Sequence, residues 1–379
     1  MNLSKTQEIL IVGGGIIGLS IARQLKRNGV EKVTILERRS GCGTESSSAA
    51  AGMLAPQAEA DSDNDFFRFC RASRDLYPKF AEELLEESGV DVELDRTGTL
   101  YAAFTTEEAE ELEKRFVWQR NAGLNVEKLS AKEILEIEPN ISEKVLFGLR
   151  FPLDWQVENQ KIVEALDKIR LRIGAEFISR EIRSLIYENH KIIGVETDRE
   201  KFFAPVVVVA SGAWTSLIAD KFNLLSGIGV RPVRGQMLAF NDQEKLFRHV
   251  IYSRNGYAVP RKRCKILIGA TVENAGFENR TNVKGTLSLL KMALEISAKF
   301  ENLSLEKTWS GLRPFAADGL PVLGAFPEIE NLYLATAHYR NGILLAPKTA
   351  EIIANEIVGN DDSEYLKSFS PRRFRTAKV

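Results

Sequence analysis

The chain has 379 residues, of which 51 are Lys or Arg and 52 are Asp or Glu, so its formal net charge is −1. Hydrophobic residues make up 44% and charged residues 27% of the sequence, which is typical of a globular protein in water and excludes a disordered or collagen-like chain. At about 150 residues per domain, this length predicts two or three domains. The balanced charge excludes a general electrostatic attraction to nucleic acid.

The cysteines (Cys42, Cys70, Cys264) and histidines (His190, His249, His338) lie far apart in the sequence. Because none has the spacing of a zinc or disulfide motif, we predict no metal site and a reducing, cytoplasmic location. The N-terminal stretch places Glu8 directly before a short apolar run and is a poor signal peptide. Glycines interrupt that run, which is too short to predict a transmembrane segment.

The first forty residues predict a dinucleotide-binding unit. Glu8–Val12 has the continuous apolar pattern of a strand buried on both faces, and Gly13–Gly18 follows at once with the spacing G-x-G-x-x-G. An amphipathic helix is then predicted to stop at Gly29, and a second strand, Lys32–Leu36, is followed directly by Glu37. The order strand, glycine loop, helix, strand and acid is the fingerprint of dinucleotide binding.

Each part of this fingerprint has a physical reason. Gly13 permits the tight turn, Gly15 lets the backbone approach a pyrophosphate, and Gly18 lets the helix pack on the strand. The N-terminus of the helix presents free N–H groups and a partial positive charge to the phosphates. Glu37 can accept hydrogen bonds from the ribose 2′-hydroxyl and would repel a 2′-phosphate, which argues against NADP. The motif alone leaves NAD and FAD open.

Further elements follow along the chain. Ser46–Pro56 consists mainly of small residues, whose N–H groups and hydroxyls we expect to pack against a bulky ligand. A helix is predicted over Glu107–Asn121, and Ser130 with Glu133 has the spacing of a capping box. Pro205–Ala210 is nearly all Val and predicts another buried parallel strand.

The last third of the chain predicts two different kinds of structure. Gln236–Phe240 and Lys265–Ala270 alternate apolar and polar residues, as antiparallel strands do. A largely buried helix is predicted to begin at Gly342, where its free N–H groups would face a docked ligand. Asp318 precedes a glycine and is interpreted as a turn residue. The basic tail from Ser368 is expected to be a solvated, frayed end.

Several motifs together resemble the D-amino acid oxidase family of flavoproteins and, within it, the glycine oxidases of thiamine biosynthesis. In chain order they are GGGIIG, LER, SSSAAAGMLAPQAEAD, VVVASGAW, GYAVPR, LIGAT, SGLRPFAADGLPVLG and HYRNGILLAP. The resemblance covers nearly the whole chain and implies non-covalent FAD as the cofactor. Relatives that bind flavin covalently use a cysteine near it, and neither residues 308–345 nor the small-residue segment contains one.

The predicted fold class is α/β, with a Rossmann-like FAD-binding domain and an inserted, largely antiparallel substrate domain. We assign residues 1–85, 150–225 and 308–379 to the FAD-binding domain and residues 86–149 and 226–307 to the substrate-binding domain. The resemblance also implies the residues that contact FAD, which are Gly13, Gly15, Ile16, Ile17, Gly18, Glu37, Arg38, Ser46, Ser47, Ala51, Gly52, Met53, Ile182, His338, Tyr339, Arg340, Asn341, Gly342, Ile343 and Leu344.

For the substrate, the resemblance assigns carboxylate binding to Arg313 and a second contact to the hydroxyl of Tyr257, with Arg340 as a further polar group. A guanidinium suits this role because its planar fork makes two parallel charge-assisted hydrogen bonds to a carboxylate. No histidine or carboxylate is a convincing acid or base, and none is needed if the α C–H bond leaves as a hydride to flavin N5.

The implied reaction oxidises glycine, sarcosine or D-alanine to an oxo acid and ammonia, with O₂ becoming hydrogen peroxide, and supplies an imine for the thiamine thiazole. Asn255 and Val272 depart from the glycine oxidase pattern near the pocket and put the preference for glycine in doubt. The alternatives are a dehydrogenase of the same fold that reduces a quinone or carrier protein, and a nucleotide-binding partner subunit without oxidase activity. The resemblance further implies a homo-oligomer, commonly a tetramer.

Overall fold

The computed structural model describes residues 8–218, 227–327, 329–360 and 363–374. Its strands are β1 (Glu8–Val12), β2 (Lys32–Glu37), β3 (Met53–Leu54), β4 (Thr99–Ala103), β5 (Glu127–Ser130), β6 (Phe147–Phe151), β7 (Trp155–Gln156), β8 (Glu176–Ser179), β9 (Ile182–Glu188), β10 (Lys191–Thr197), β11 (Lys201–Phe203), β12 (Val206–Val209), β13 (Arg231–Asn241), β14 (Val250–Ser253), β15 (Gly256–Arg261), β16 (Lys265–Gly269), β17 (Ser304–Phe315), β18 (Val322–Ala325) and β19 (Leu332–Thr336).

The α-helices are α1 (Ile16–Arg27), α2 (Ser46–Ala49), α3 (Pro56–Glu59), α4 (Asp65–Asp75), α5 (Tyr77–Ser88), α6 (Thr106–Asn121), α7 (Ala131–Ile137), α8 (Asn159–Arg172), α9 (Val283–Ile296), α10 (Gly342–Val358) and α11 (Ser363–Phe369). Short 3₁₀ helices span Gly212–Leu217, Ala298–Asn302 and Pro371–Phe374. None of the helices in the described ranges has the length and apolar content needed to cross a bilayer.

The first sheet has six strands in the order β18-β19-β12-β1-β2-β8, all parallel except β18, which is antiparallel to β19. The central strand β1 is covered on both faces. Ile9 and Ile11 pack with the helical layer of α1, α8 and α10, whereas Leu10 and Val12 pack with the small antiparallel sheet β9–β11. The predicted strands over Glu8–Val12, Lys32–Leu36 and Pro205–Ala210 are therefore confirmed.

The ends of two helices in this layer follow from their sequences. Gly29 has φ +88° directly after α1, which explains why the helix stops there. In α10, Pro347 has no N–H to donate to the carbonyl of Ile343, and this carbonyl instead accepts from the hydroxyl of Tyr77. The Ser73 hydroxyl likewise donates to the Leu344 carbonyl over 2.7 Å. The first turn of α10 is therefore fixed by α4 and α5.

The second sheet has eight strands in the order β17-β13-β16-β15-β14-β4-β6-β5. Its pairs are antiparallel except β14 with β4, and the register of β13 against β16 runs from Met237–Gly269 to Asn241–Lys265. Helix α9 packs on one face through Leu289, Met292, Ala293 and Ile296. The predicted antiparallel strands, the helix ending at Asn121 and the capping box of Ser130 and Glu133 are confirmed.

The two sheets agree with the predicted α/β class, and each sheet takes its strands from its own parts of the chain. The six-stranded sheet takes its strands from residues 8–37, 176–209 and 322–336, and the eight-stranded sheet takes its strands from residues 99–151 and 231–315. Strand β17 pairs with β13 as far as Phe315, so it crosses the boundary placed at residue 308. The domain boundaries remain a proposal.

The expectation of a solvated tail from Ser368 is wrong as far as Phe374. Phe369 is buried with its ring centroid 5.0 Å from that of Phe69, and Arg373 forms an ion pair with Asp318 at 2.6 Å. The basic charge alone predicted exposure, but the buried ring of Phe369 and the ion pair of Arg373 hold this segment against the protein. Asp318 also accepts the Leu320 N–H over 3.1 Å, as expected for a turn residue. Residues 375–379 lie outside the described ranges.

The glycine loop yields the first prediction. A Cβ atom at Gly18 would lie 2.0 Å from the Gly13 carbonyl oxygen, so Gly18→Ala forces α1 away from β1. We expect a loss of at least about 3 kcal/mol in the free energy of unfolding, measured by urea denaturation. The control is Gly41→Ala, whose Cβ would be in ordinary contact 3.6 Å from the Thr44 side chain. Equal stability of the two variants would contradict this reading of the loop.

Candidate active site

One large cavity crosses the carboxyl ends of β1, β2 and β12 and continues to the eight-stranded sheet. It brings together most of the residues predicted for cofactor and substrate, namely Gly13, Gly15, Ile16, Ile17, Glu37, Arg38, Ser46, Ser47, Ala51, Gly52, Met53, Ile182, Tyr257, Arg313, His338, Tyr339, Arg340, Asn341, Gly342 and Ile343. Gly18 and Leu344 do not line the cavity. Gly18 is the contact between α1 and the glycine loop, and Leu344 is buried in the core.

At the nucleotide end, the glycine loop and Glu37 form one hydrogen-bonded unit. Gly13 has φ +113° and donates to the Leu36 carbonyl over 2.8 Å, and a Cβ atom there would lie 2.5 Å from the Ala210 carbonyl oxygen. The carboxylate of Glu37 accepts the N–H of Gly14 over 2.8 Å and that of Arg39 over 3.0 Å. Backbone donors therefore hold this carboxylate at the end of β2.

A second wall of this end is formed by Arg38, whose guanidinium lies 3.8 Å from the ring centroid of Trp214. The same guanidinium pairs with the carboxylate of Glu45 at 2.5 Å. The stacked pair places a flat, charged surface beside the cavity.

The small-residue segment is ordered by contacts on its outer side. It forms α2, β3 and α3, and the Ser47 hydroxyl accepts the Ile16 N–H at the start of α1 over 3.0 Å. Trp309 donates to the Ala49 carbonyl over 3.0 Å, and the buried Arg261 donates to the Ala51 carbonyl. Contacts within the protein therefore fix the segment.

At the other end of the cavity, Arg313 lies on β17 with Gly235 of β13 beneath it. A Cβ atom at Gly235 would lie within 2.5 Å of the guanidinium, so only glycine leaves room for Arg313 in this position. One guanidinium nitrogen of Arg313 donates to the Thr271 carbonyl over 2.9 Å. A backbone carbonyl thus anchors one N–H group of the guanidinium, which has five such donors in all.

Tyr257 lies beside this guanidinium. Burial raises the pKa of the Tyr257 phenol, and the positive charges of Arg313 and Arg340 only partly oppose that shift. The phenol is therefore neutral near pH 7 and can donate a hydrogen bond to a carboxylate.

A carboxylate that the sequence did not single out, Glu59, lies in the same part of the cavity. Glu59 accepts the side-chain N–H of Asn341 over 3.3 Å, and its charge is the main cause of the raised pKa of Arg340. Arg340 is exposed within the open cavity. The substrate end thus contains two guanidinium groups and one carboxylate.

His338 is buried and serves as an anchor. Its Nε2 atom lies 3.0 Å from the Thr349 hydroxyl, and burial lowers the pKa of the imidazole to about 3. The neighbouring Ala337 and Tyr339 have φ +59° and +50°, and the Tyr339 N–H donates to the Pro314 carbonyl over 2.9 Å. The ring therefore holds a sharp turn and is not available as a general base at neutral pH.

In the described ranges, no three His, Cys, Asp or Glu residues cluster suitably for a metal ion. None of Cys42, Cys70 and Cys264 lines the cavity.

Sequence reasoning missed Glu59, Gly235 and Arg261. Glu59 and Arg261 stand inside motifs that were recognised, but a motif does not tell which side chain faces the cavity. Gly235 has no signal of its own, because its role depends on the neighbouring strand, where Arg313 lies two positions from Gly311, the partner of Gly235.

The buried imidazole predicts a pH dependence of stability. Between about pH 6.5 and pH 3 the unfolded chain binds a proton at His338 that the folded chain excludes, so stability falls as the pH falls through this range. His338→Gln keeps a hydrogen-bonding group for Thr349 and removes this proton. We expect the stability advantage of the unmodified protein over this variant to shrink by about 1 kcal/mol per pH unit between pH 6 and pH 5, measured by urea denaturation.

The matched control is His190→Gln, because His190 is exposed. Its stability curve serves as the reference for removing a histidine from the surface. Parallel curves for the unmodified protein and His338→Gln would show that His338 takes up protons freely in the folded state.

The comparisons with known proteins agree with this geometry. The sequence model of the DAO family, described as FAD dependent oxidoreductase, matches residues 8–356. Glycine oxidase from Geobacillus kaustophilus is 33% identical over 377 residues, covering 97% of this chain and 97% of that protein. The bifunctional protein ThiO/ThiG from Trichormus variabilis is 35% identical over 376 residues, covering 98% of this chain and 55% of that protein.

The fold also matches that of a solved relative. The crystal structure of glycine oxidase from Geobacillus kaustophilus has a TM-score of 0.91 at 32% identity and covers 99% of this chain and 100% of that one. The predictions of an α/β fold and of FAD as the cofactor are confirmed by these matches together with the cavity at the strand ends. The chain therefore belongs to the DAO family of FAD-dependent oxidoreductases and is a FAD-dependent amino acid oxidase.

Proposed function

We propose that this protein oxidises glycine and similarly small amines, such as sarcosine and D-alanine, with O₂ and water as co-substrates. The products are the oxo acid, hydrogen peroxide and the released amine, which is ammonia from glycine and D-alanine and methylamine from sarcosine. The observation that carries the proposal is the position of Arg313 and Tyr257, which face the same cavity as the glycine loop. Relatives named glycine oxidase and ThiO/ThiG support both the substrate and a place in thiamine biosynthesis.

The residues present fit non-covalent FAD. Close approaches at Gly13 and Gly52, where a Cβ atom would lie 2.5 Å and 2.0 Å from carbonyl oxygens, leave a cradle without side chains. The N-terminus of the twelve-residue helix α1 faces this cradle and suits a pyrophosphate. Glu37 and Arg38 would hold the adenosine, and the turn from His338 to Ile343 would hold the flavin ring. When bound, FAD supplies the acceptor for the electrons of the substrate's α C–H bond.

Arg313 and Tyr257 would orient the substrate. The guanidinium offers a carboxylate two parallel hydrogen bonds, and the neutral phenol offers a third from the side. Since the Thr271 carbonyl and the space above Gly235 fix the guanidinium, the acid is held in one orientation. Orientation of this kind lowers the barrier by removing translational and rotational freedom before the reaction.

The remaining residues would supply electrostatics and not proton transfer. His338 is neutral and faces Thr349, so it offers no base to the substrate. Helix α10 begins at Gly342 on the cavity wall, and the positive end of its dipole favours negative charge there by about 0.3–1 kcal/mol. A reduced cofactor is more negative than an oxidised one, so this end of the helix favours the reduced form.

The proposal is tested by loading the purified protein with FAD and following hydrogen peroxide and O₂ uptake with glycine, sarcosine and D-alanine. We expect equal amounts of O₂ consumed and peroxide formed with at least one of these amines. Reduction of an added dye without O₂ uptake would identify a dehydrogenase. No turnover of any amine by the FAD-loaded protein would contradict the proposal.

Replacing Arg313, which would bind the substrate carboxylate, should weaken substrate binding. We expect Arg313→Leu to raise KM for the amino acid about 10- to 150-fold, equivalent to the roughly 1.5–3 kcal/mol of a charged hydrogen bond. FAD content, measured from absorbance after gel filtration, should be unchanged. An unchanged KM would remove Arg313 from the site.

The support beneath the anchor yields a separate prediction. Gly235→Ala would place a Cβ atom within 2.5 Å of the Arg313 guanidinium and displace it without changing its charge. We expect at least a tenfold loss of kcat/KM with FAD still bound. Activity close to that of the unmodified protein would show that Arg313 need not occupy this position.

A further inference from the structure

Glu59 lies in the cavity at the end of the short helix α3, and contacts at both ends fix the position of this helix. Asp154, which is fully buried, accepts the N–H groups of Gln57 and Ala58 over 3.2 and 2.7 Å at the start of α3. At the other end, Arg115 donates to the Ala60 carbonyl. The Glu59 carboxylate accepts from Asn341 on the opposite wall, so its direction is set as well as its place.

The charges along the cavity divide into two groups. At the nucleotide end, Arg38 pairs with Glu45 at 2.5 Å and Arg183 pairs with Glu181 at 3.1 Å. Glu37 is bonded to backbone N–H groups. At the substrate end, the charged residues lining the described cavity are Arg313, Arg340 and Glu59, which leaves an excess of one positive charge.

This balance matters because Arg313 and Arg340 would otherwise form a site for two carboxylates. Arg313, Arg340 and Glu59 line one cavity with Tyr257, and Glu59 accepts a hydrogen bond from Asn341, the residue that follows Arg340. A substrate with one carboxylate can pair with Arg313 and leave Arg340 with Glu59. A second carboxylate would approach Arg340 and meet the like charge of Glu59, which repels it.

We propose that Glu59 determines the substrate class of this site by neutralising Arg340, so that the enzyme takes amines with one carboxylate and rejects amines with two. The proposal rests on the proposed oxidase function. Glu59 acts here as a specificity-determining residue, and the oxidation itself does not require its carboxylate. Specificity then comes from an unfavourable contact with the wrong substrate as much as from the favourable one with the right substrate.

Sarcosine and iminodiacetate provide a matched pair for the test. Both are glycines with one substituent on the nitrogen, and only the substituent of iminodiacetate has a second carboxylate. We expect the unmodified enzyme to prefer sarcosine in kcat/KM. Glu59→Gln keeps an oxygen for Asn341 and removes the charge, and we expect it to lower the sarcosine-to-iminodiacetate ratio at least tenfold, mainly through a lower KM for iminodiacetate. The double variant Glu59→Gln, Arg340→Gln should restore the preference for sarcosine.

Two further variants separate the charge of Glu59 from other effects. Glu59→Asp retains the negative charge and should retain the preference for sarcosine. Glu136→Gln removes a carboxylate whose side chain is 63% exposed on α7 and should leave the ratio unchanged. FAD content and thermal unfolding of each variant report whether it folds.

A binding measurement distinguishes failure of this proposal from failure of the oxidase function. Acetate and malonate are titrated into the FAD-loaded protein, and their Kd values are read from the flavin absorbance without any turnover. We expect Glu59→Gln to tighten malonate at least tenfold relative to acetate. If the unmodified protein turns over sarcosine but Glu59→Gln changes neither ratio, the role of Glu59 is refuted and the oxidase function stands. If no amine is oxidised, the oxidase function fails while the titration still tests Glu59.

Discussion

The proposed function depends on one contact, the packing of the Arg313 guanidinium over Gly235. Strands β13 and β17 pair over their whole length, and this pairing puts the side chain of Arg313 over Gly235, where a single added carbon atom would collide with it. The Thr271 carbonyl takes one N–H group, and Tyr257 stands beside the rest. A guanidinium held by backbone loses little further freedom when a carboxylate binds, so its hydrogen bonds contribute more fully to orientation.

The rest of the fold connects the position of Arg313 to the nucleotide site. The glycine loop depends on the parallel neighbours of β1, because Gly13 donates to the Leu36 carbonyl and the Ala210 carbonyl leaves no room for a side chain there. The small-residue segment needs Trp309 and Arg261 from the other sheet. Because these contacts connect the two sheets, a cofactor lying along the loop and an acid held by Arg313 share one cavity. The discontinuous arrangement of the chain is what makes this connection possible.

Local sequence predicted the elements well where one residue type determines the conformation. The run Glu8–Val12, the stop at Gly29 and the capping box of Ser130 are examples, since burial, positive φ and a side-chain hydrogen bond each leave a visible pattern. The resemblance to a family brought together Tyr257, Arg313 and Arg340, which are far apart in the sequence. The residues named as FAD contacts remain a prediction, although most of them line the cavity.

What the sequence could not predict depends on partners across the fold. Glu59 stands in a recognised motif, but its importance comes from Arg340 and Asn341, about 280 residues away. The basic tail is fixed by Phe369 and Asp318, which charge alone does not indicate. The most direct test of the central claim is a crystal structure of the FAD-loaded protein with acetate. We expect the carboxylate to form two hydrogen bonds with Arg313 and one with the Tyr257 hydroxyl. Acetate bound elsewhere in the cavity, with Arg313 turned away from it, would contradict the account.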